Sequence, residues 1–434
     1  MKTLVLIDND ALSRALLSQC LSGDGWRVLE ADTGEGGLEL ITKHRPAAVL
    51  CDLRTPKGNG FKVCRRIRDD GQLKGTRVLL TGVSRFENDR ATAIAAGADD
   101  YLVKPIMPAE LLASVAKCGD AAATASVVSK VPAGPVVIRF WGVRGSIPTP
   151  GHDTAAVGGN TSCVEVRVGD HIIVLDAGSG IRGLGKALMR ESKGNPMDIT
   201  MLVSHTHWDH IQGFPFFMPA YNPKVNVRIL GYEGAVHGLR GALFEQMQSA
   251  FFPIGLNQMA SHVTFEELED MEFDLGPAKV RTIFSNHPGI CLGYRLTTGK
   301  GDITYMPDHE AYERHERERQ KVAGEHSPAG VEYARSQDDK VVEFLRDADV
   351  MIADSQYDRV EYPTRLGWGH TCADDTVDLA IRAGVKQLFL FHHDPDHDDA
   401  KIEAMVVEGQ AKAAEKGSKL NVSAAREGGE FRLE

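Results

Sequence analysis

The hexapeptide His205-Thr206-His207-Trp208-Asp209-His210 constrains this chain more than any other feature. Three imidazoles and one carboxylate fall within six positions, directly after an apolar run at residues 199–203 that reads as a buried strand. Imidazole and carboxylate donors suit zinc, manganese or iron, whereas a structural zinc site more often uses cysteine thiolates. Six residues cannot enclose two ions, so further ligands must come from the ends of other strands. His287 follows the run 280–284, Asp308 follows 303–306, and His392 follows 387–391. His393 is adjacent, but alternation along a strand turns it to the opposite face. His152, His171, His237, His262, His315 and His326 lack such placement and read as structural or solvent-facing.

The 434 residues correspond to roughly three domain-sized units, or two with one large. A net charge of −11 disfavours a surface built mainly to neutralise nucleic-acid phosphates or anionic lipid. The run at residues 1–7 is too brief for a secretory signal, and no stretch reaches the roughly 18 apolar residues of a membrane span. The seven cysteines are scattered and never form a C-x-x-C pair, which argues against a disulfide framework and for a reducing, cytoplasmic setting.

From residue 1 to 118, apolar runs at 4–7, 47–51, 77–80 and 101–103 alternate with helical stretches at 11–21 and 60–68. This pattern predicts a doubly wound α/β sheet, with chemistry collecting beyond the carboxyl ends of its strands. Those ends carry Asp8 and Asn9, Asp52, Thr81 and Lys104. Asp52 can serve as a nucleophile, Asp8 can help hold Mg²⁺, the Thr81 hydroxyl can bond a phosphoryl oxygen, and Lys104 can neutralise new charge. The segments LVLIDND, VLCDLRTPKGNGF, VLLTG and DDYLVKPI resemble a response-regulator receiver domain in order and spacing. The resemblance implies a parallel five-stranded sheet phosphorylated at Asp52 by a sensor histidine kinase, with Thr81 and Lys104 sensing the product. Asn9 stands where that family usually has a second acid, which removes one negative charge from the Mg²⁺ site. A receiver fold used as a scaffold without phosphorylation is the competing reading.

Residues 119–135 change to Ala, Ser, Val, Pro and Gly and read as a linker. In residues 136–434, strands at 136–140, 163–168, 171–175 and 199–203 lie close enough to predict hairpins rather than β-α-β crossovers. Residues 310–321 carry Glu310 four before Arg314 and Glu313 four before Arg317, a spacing that predicts a solvated helix, with a lid over a site as the alternative.

The complete H-x-H-x-D-H motif with its distant partners resembles the metallo-β-lactamase superfamily, an αββα sandwich with its site along one edge. By that resemblance, His205, His207 and His287 hold one metal, Asp209, His210 and His392 the other, and Asp308 bridges them. VLDAGSG resembles a family turn, which implies that Asp176 orients the ligand loop. Cysteine usually stands at the Asp308 position in dizinc β-lactamases, and glutamate usually stands at the His207 position in flavodiiron enzymes. Lactam hydrolysis and redox chemistry are both disfavoured. GWGHTCADDTVDLAIRAGVKQLFLFHHDP resembles the phosphodiesterase and tRNase Z-like branch and implies His370 as general acid, because an imidazole can protonate a leaving alkoxide at neutral pH. A histidine that merely stabilises the start of a helix is the competing reading. FWGVRGSIPTPG and GGNTSCVEV resemble a subfamily that includes cyclic-nucleotide phosphodiesterases, which makes Arg144, Asn160 and Ser162 candidate substrate contacts.

The expectation is therefore a kinase-controlled phosphodiesterase with two divalent metals, zinc first and manganese or iron as alternatives, and Mg²⁺ in the receiver. Its substrate would be a cyclic nucleotide or similar small diester, with Asp209 taking part in catalysis. Homodimerisation is the expected consequence of receiver phosphorylation. Structured-RNA processing and a non-enzymatic metal-binding signalling module are the alternatives; the acidic balance disfavours nucleic acid as a partner.

Overall fold

The computed structural model describes residues 2–73, 75–82, 90, 93–94, 96–115, 119–120, 135–232, 238–268 and 271–433. In the first domain, strands Arg27–Ala31, Thr3–Ile7, Pro46–Asp52, Arg77–Gly82 and Asp100–Val103 lie side by side in that order, all parallel. Alternation sends Val5 and Ile7 into one apolar cluster and Leu4 and Leu6 into another on the opposite face, which is why this strand reads as continuously apolar. The strand Arg27–Ala31 and the helix Gly34–His44 lie outside the sequence reading. The strand sits at the sheet edge, where only Ala31 is buried and the apolar signal is weak. Gly119 and Asp120, assigned by sequence to the linker, pair antiparallel with Pro46 and Ala47. Residues 121–134 of that linker, with Cys118 and His237, lie outside the described residues.

The second domain stacks two seven-stranded sheets. One runs His262–Glu267, Val225–Gly231, Met197–Val203, His171–Leu175, Cys163–Val168, Val136–Gly142, Glu430–Leu433. The other runs Glu272–Leu275, Ala278–Phe284, Leu292–Thr298, Gly301–Met306, Val350–Asp354, Gln387–Phe391, Asn421–Ala424. Both inner faces contribute to one core that includes Ile138, Val164, Leu296 and Ile352. Helix Ile181–Ser192 covers the first sheet through Leu184 and Leu188, while Ala373–Ala383 and Asp399–Glu415 pack with the second. The strands Val136–Gly142, Cys163–Val168 and His171–Leu175 form the predicted antiparallel hairpins. The next pair departs from that expectation: His171–Leu175 and Met197–Val203 are parallel, and the intervening helix makes the crossover. Among the described residues, no helix is long and apolar enough to cross a membrane, and the six cysteines are free.

The expected solvated helix is Tyr312–Ala323, and it is not solvated all round. Tyr312, Glu316 and Gln320 are buried, and Tyr312 reaches the first domain. Glu313 and Arg317 do pair, at 2.6 Å. Glu310 lies before the helix, fully buried, and Arg314 bonds Asp375 instead at 2.8 Å.

Candidate functional site

The strand Met197–Val203 ends at Ser204, after which His205 and His207 lie in a loop and Asp209 and His210 open the short helix Trp208–Ile211. The fold brings the distant residues to this edge. Ligand atoms of His205, His207, His287 and Asp308 lie within 4.8 Å of one another, and those of Asp209, His210 and His392 form a second such group. Asp308 faces both: its Oδ2 stands 3.6 Å from His205 Nε2 and 3.7 Å from His287 Nε2, and its Oδ1 stands 3.0 Å from His210 Nε2 and 3.4 Å from His392 Nε2. His392 Nε2 also lies 3.0 Å from Asp209 Oδ2.

The donor set fits a pair of divalent cations. His287 Nε2 and His207 Nδ1 face each other at 3.0 Å, and His210 Nε2 and His392 Nε2 at 3.3 Å. Nitrogens that face each other this closely share either one proton or one cation. Buried His205 Nε2 and Asp308 Oδ1 have no hydrogen-bond partner, so Asp308 and His210 approach without pointing at each other. Burial, reinforced by the neighbouring imidazoles, holds His205 and His287 well below the usual histidine range, in the neutral form a metal requires. Burial alone would raise Asp308, yet His210, His392 and His205 hold it well below the usual carboxylate range. Burial would lower His210, but Asp308, Asp209 and Asp176 raise it well above its ordinary value. A cation held at Nε2 would supply the positive charge that these carboxylates demand.

Surrounding groups fix the ligands' orientation. Asp176 accepts from Ser204 N at 2.7 Å, Ser204 Oγ at 2.8 Å and Tyr305 Oη at 2.8 Å, and its Oδ2 lies 2.7 Å from His210 Nδ1. Gln356 Oε1 meets His392 Nδ1 at 3.0 Å, Gly369 O meets His287 Nδ1 at 3.0 Å, and Ser146 N donates to Asp209 Oδ2 at 2.7 Å. Asp176 and His392 adopt left-handed backbone conformations, φ 61° and 58°, uncommon for residues with side chains. Gly369, φ +86°, passes so close to His287 that a Cβ there would stand 2.2 Å from Nδ1.

His370 lies beside this cluster, its ring stacked on His392 at 4.8 Å. Its ligand atom also groups with those of Asp308 and His392. Its Nδ1, however, is committed to Asp354 Oδ2 at 2.8 Å. Burial opposes the charged form, but the Asp354 carboxylate overrides it and raises His370 to about 9. A protonated imidazole donates protons and does not ligate. Asp354 escaped the sequence reading, although it ends the buried strand Val350–Asp354 as Asp308 follows Gly301–Met306. Glu310 escaped too, because its spacing to Arg314 suggested a helix. Its carboxylate accepts from Tyr362 Oη at 2.7 Å, Gly367 N at 3.1 Å and Gly369 N at 3.2 Å, bracing the turn before His370.

Two candidate substrate contacts, Arg144 and Ser162, are buried and require correction, while Asn160 is half-buried and tied to protein groups. Arg144 is fully buried, and its guanidinium donates to the carbonyls of Gly158, Asp394 and His397 at 2.7, 3.0 and 2.6 Å. It ties loops together and cannot reach a ligand. Asn160 donates through Nδ2 to Glu427 at 2.9 Å and accepts from Ser179 Oγ at 3.0 Å, while Ser162 is fully buried.

In the first domain, Lys104 Nζ pairs with Asp52 and, at 2.6 Å, with Asp8. Burial opposes its charge, but these two carboxylates raise it above the usual lysine range. Ser13 Oγ donates to Asp8 at 2.7 Å, and Arg54 N donates to Asp52 Oδ1 at 2.7 Å. Thr81 is buried opposite Asp52 in strand register. The Asp8 and Asp52 carboxylates converge beside Asn9, an oxygen donor set that fits Mg²⁺. Asp10 does not substitute for the missing acid: it caps helix Ala11–Gly23 through Leu12 N and Ser13 N and pairs with Lys340.

Residues 4–116 match the family model of the response regulator receiver domain, and residues 171–324 that of the beta-lactamase superfamily domain. A ribonuclease Z of Thermoplasma acidophilum is 27% identical over 293 residues, 61% of this chain and 88% of its own. The transcriptional regulatory protein AfsQ1 of Streptomyces coelicolor is 39% identical over 106 residues, 24% of this chain and 46% of its own, so the chain spans under half of that relative. Among solved structures, the metallo-beta-lactamase fold protein YhfI of Bacillus subtilis is 19% identical with a TM-score of 0.47, covering 69% of this chain and 99% of that one. The parallel sheet at the front of the chain thus matches the receiver model and the paired sheets behind it the beta-lactamase superfamily model, and the protein joins a response regulator receiver domain to a metallo-β-lactamase-fold domain.

Proposed function

We propose that the protein is a receiver-controlled, metal-dependent phosphodiesterase that hydrolyses a cyclic nucleotide or a similar small phosphodiester. One observation carries the reading: seven ligand residues form two groups joined by Asp308, and a buried histidine paired with Asp354 stands just outside them. His205, His207 and His287 would hold one cation, and Asp209, His210 and His392 the other. A pair of zinc, manganese or iron ions bound there would supply Lewis acidity toward water and phosphoryl oxygens. Asp209 and Asp308 keep their negative charge toward the cations, and Asp176 holds His210 by its far nitrogen. As a water oxygen forms the new P–O bond and gives up a proton to solvent, His370 gives its proton to the leaving oxygen, whose P–O bond breaks with the electron pair departing on that oxygen. Asp354 keeps the imidazole charged until that moment and orients it.

In the receiver, an Asp52 carboxylate oxygen attacks the phosphorus of a histidine kinase's phosphohistidine. The P–N bond breaks, its electron pair stays on the imidazole, and that ring takes up a proton. Lys104 pairs with Asp52, and Arg54 and Lys340 line the cavity beside it.

RNA processing is the second reading, favoured by the ribonuclease Z relative, which aligns over 88% of its length. The net charge of −11 favours the small diester. A substrate panel decides: cyclic mononucleotides, cyclic dinucleotides, bis(p-nitrophenyl) phosphate, pre-tRNA and a lactam, each with metal-replete protein. Diester turnover that disappears in His207→Ala is expected. Cleavage of pre-tRNA alone would replace the small-diester reading, and no turnover of any phosphodiester would end it.

A further inference from the structure

The phosphoacceptor is enclosed by the second domain. A cavity of about 280 Å³ lies between the domains, bounded by Asp10, Asp52, Arg54 and Lys104 on one side and Tyr312 and Lys340 on the other. Two cations are spent across this boundary. Arg54 Nη1 donates to Tyr312 Oη at 2.7 Å, while its backbone N–H holds Asp52 Oδ1, and Lys340 Nζ pairs with Asp10. Both partners in the second domain belong to one hydrogen-bonded unit: Asp338, two positions before Lys340, accepts from Tyr312 N and Glu313 N, each at 2.9 Å.

Tyr312 opens its helix only four residues after Asp308, and the intervening His309, Glu310 and Ala311 are all buried. Glu310 in turn holds Gly367 N and Gly369 N, the residues leading into His370. A displacement of Tyr312 therefore has little slack before it reaches both the shared carboxylate and the turn that carries the proton donor.

We propose that this contact is the regulatory switch: the phosphoryl group on Asp52 takes Arg54 and Lys340 as its cations, releases Tyr312 and Asp10, and so shifts residues 308–312 and the turn before His370. The proposal rests on Asp52 as phosphoacceptor and on the hydrolase reading above. A phosphoryl group carries close to two negative charges and three strong acceptor oxygens, and a guanidinium binds it in preference to a neutral phenol. The buried Tyr312 hydroxyl, left without Arg54, must find another partner by moving.

The test uses the full metal-loaded chain with beryllofluoride and Mg²⁺ as the phosphoryl stand-in. Hydrogen exchange is followed in peptides covering residues 308–316 and 365–372, alongside turnover of bis(p-nitrophenyl) phosphate. Beryllofluoride is expected to change exchange in both peptides, and turnover, by threefold or more in the wild type. Tyr312→Phe keeps basal turnover within twofold and still binds beryllofluoride at Asp52 but loses both responses, and Lys340→Gln, on an exposed side chain, weakens them. A Tyr312→Phe chain that responds like the wild type overturns the proposal. So does beryllofluoride that protects the Asp52 loop without changing the two peptides, or that fails to protect the loop at all. A wild type that turns over no diester yet shows the exchange response strikes the hydrolase reading and supports the switch.

Discussion

Asp354 is the group on which the proton-donor role of His370 depends, and Asp354→Asn isolates that dependence. The substitution keeps the shape of the side chain and removes the charge 2.8 Å from His370 Nδ1. With that carboxylate, His370 stands at about 9; without it, burial opposes only the lesser pull of Asp308 and Asp209, and a return to the ordinary 6.5 is expected once bound cations neutralise those two carboxylates. At pH 8 the protonated fraction falls from about 0.9 to about 0.03, roughly a 30-fold loss of the active form and about 2 kcal/mol of barrier. The assay compares two leaving groups. An alkoxide, as in a cyclic nucleotide, needs the proton, whereas p-nitrophenolate leaves without it. Asp354→Asn and His370→Gln are expected to lose roughly 30-fold or more on the alkoxide substrate at pH 8, and less than about threefold on bis(p-nitrophenyl) phosphate, with metal content unchanged. Equal losses on both substrates would refute acid catalysis by His370 and leave the pair a positioning role.

Three further outcomes follow from the geometry. Gly369→Ala places a methyl 2.2 Å from His287 Nδ1 on a left-handed backbone, so bound metal should fall below two ions per chain by elemental analysis while the far-UV spectrum is retained. Arg144→Ala should lower stability by about 2–4 kcal/mol in urea unfolding, because three buried carbonyls lose a charged donor, and should leave KM within about twofold; a large KM effect with unchanged stability would restore it as a substrate contact. Burial raises Asp338 from 3.8 to about 7, against the opposing N–H groups of Glu313 and Tyr312 and the charge of Arg382, with Glu313 adding repulsion. A carboxyl raised in the folded state costs stability as pH climbs from about 4 to 7, about 4 kcal/mol in all, so Asp338→Asn should flatten the pH dependence of urea unfolding across that window while Glu310 contributes equally to both proteins.

Much of this organisation was legible in the sequence because it lies at the ends of buried strands. Apolar runs announced Pro46–Asp52, Gly301–Met306 and Gln387–Phe391, and the polar residues ending or following them are Asp52, Asp308 and His392. The same rule applied once more would have yielded Asp354. Glu310 was hidden by a local spacing that tertiary packing overrides, since its carboxylate turns inward to backbone N–H groups instead of along a helix face. Arg144 was misread because a sequence shows a charge but not its burial, and a guanidinium capped by carbonyls looks the same in print as one facing a phosphate. The contact between Arg54 and Tyr312 joins residues 258 positions apart, and no periodicity or motif signals it.

Two cations held by seven side chains are the centre of the proposed chemistry. Anomalous scattering from crystals of metal-replete protein, collected on either side of the zinc absorption edge, measures this directly. Two peaks are expected, one within bonding distance of His205, His207 and His287, the other of Asp209, His210 and His392, with Asp308 touching both. A single peak, or peaks away from Asp308, would contradict it.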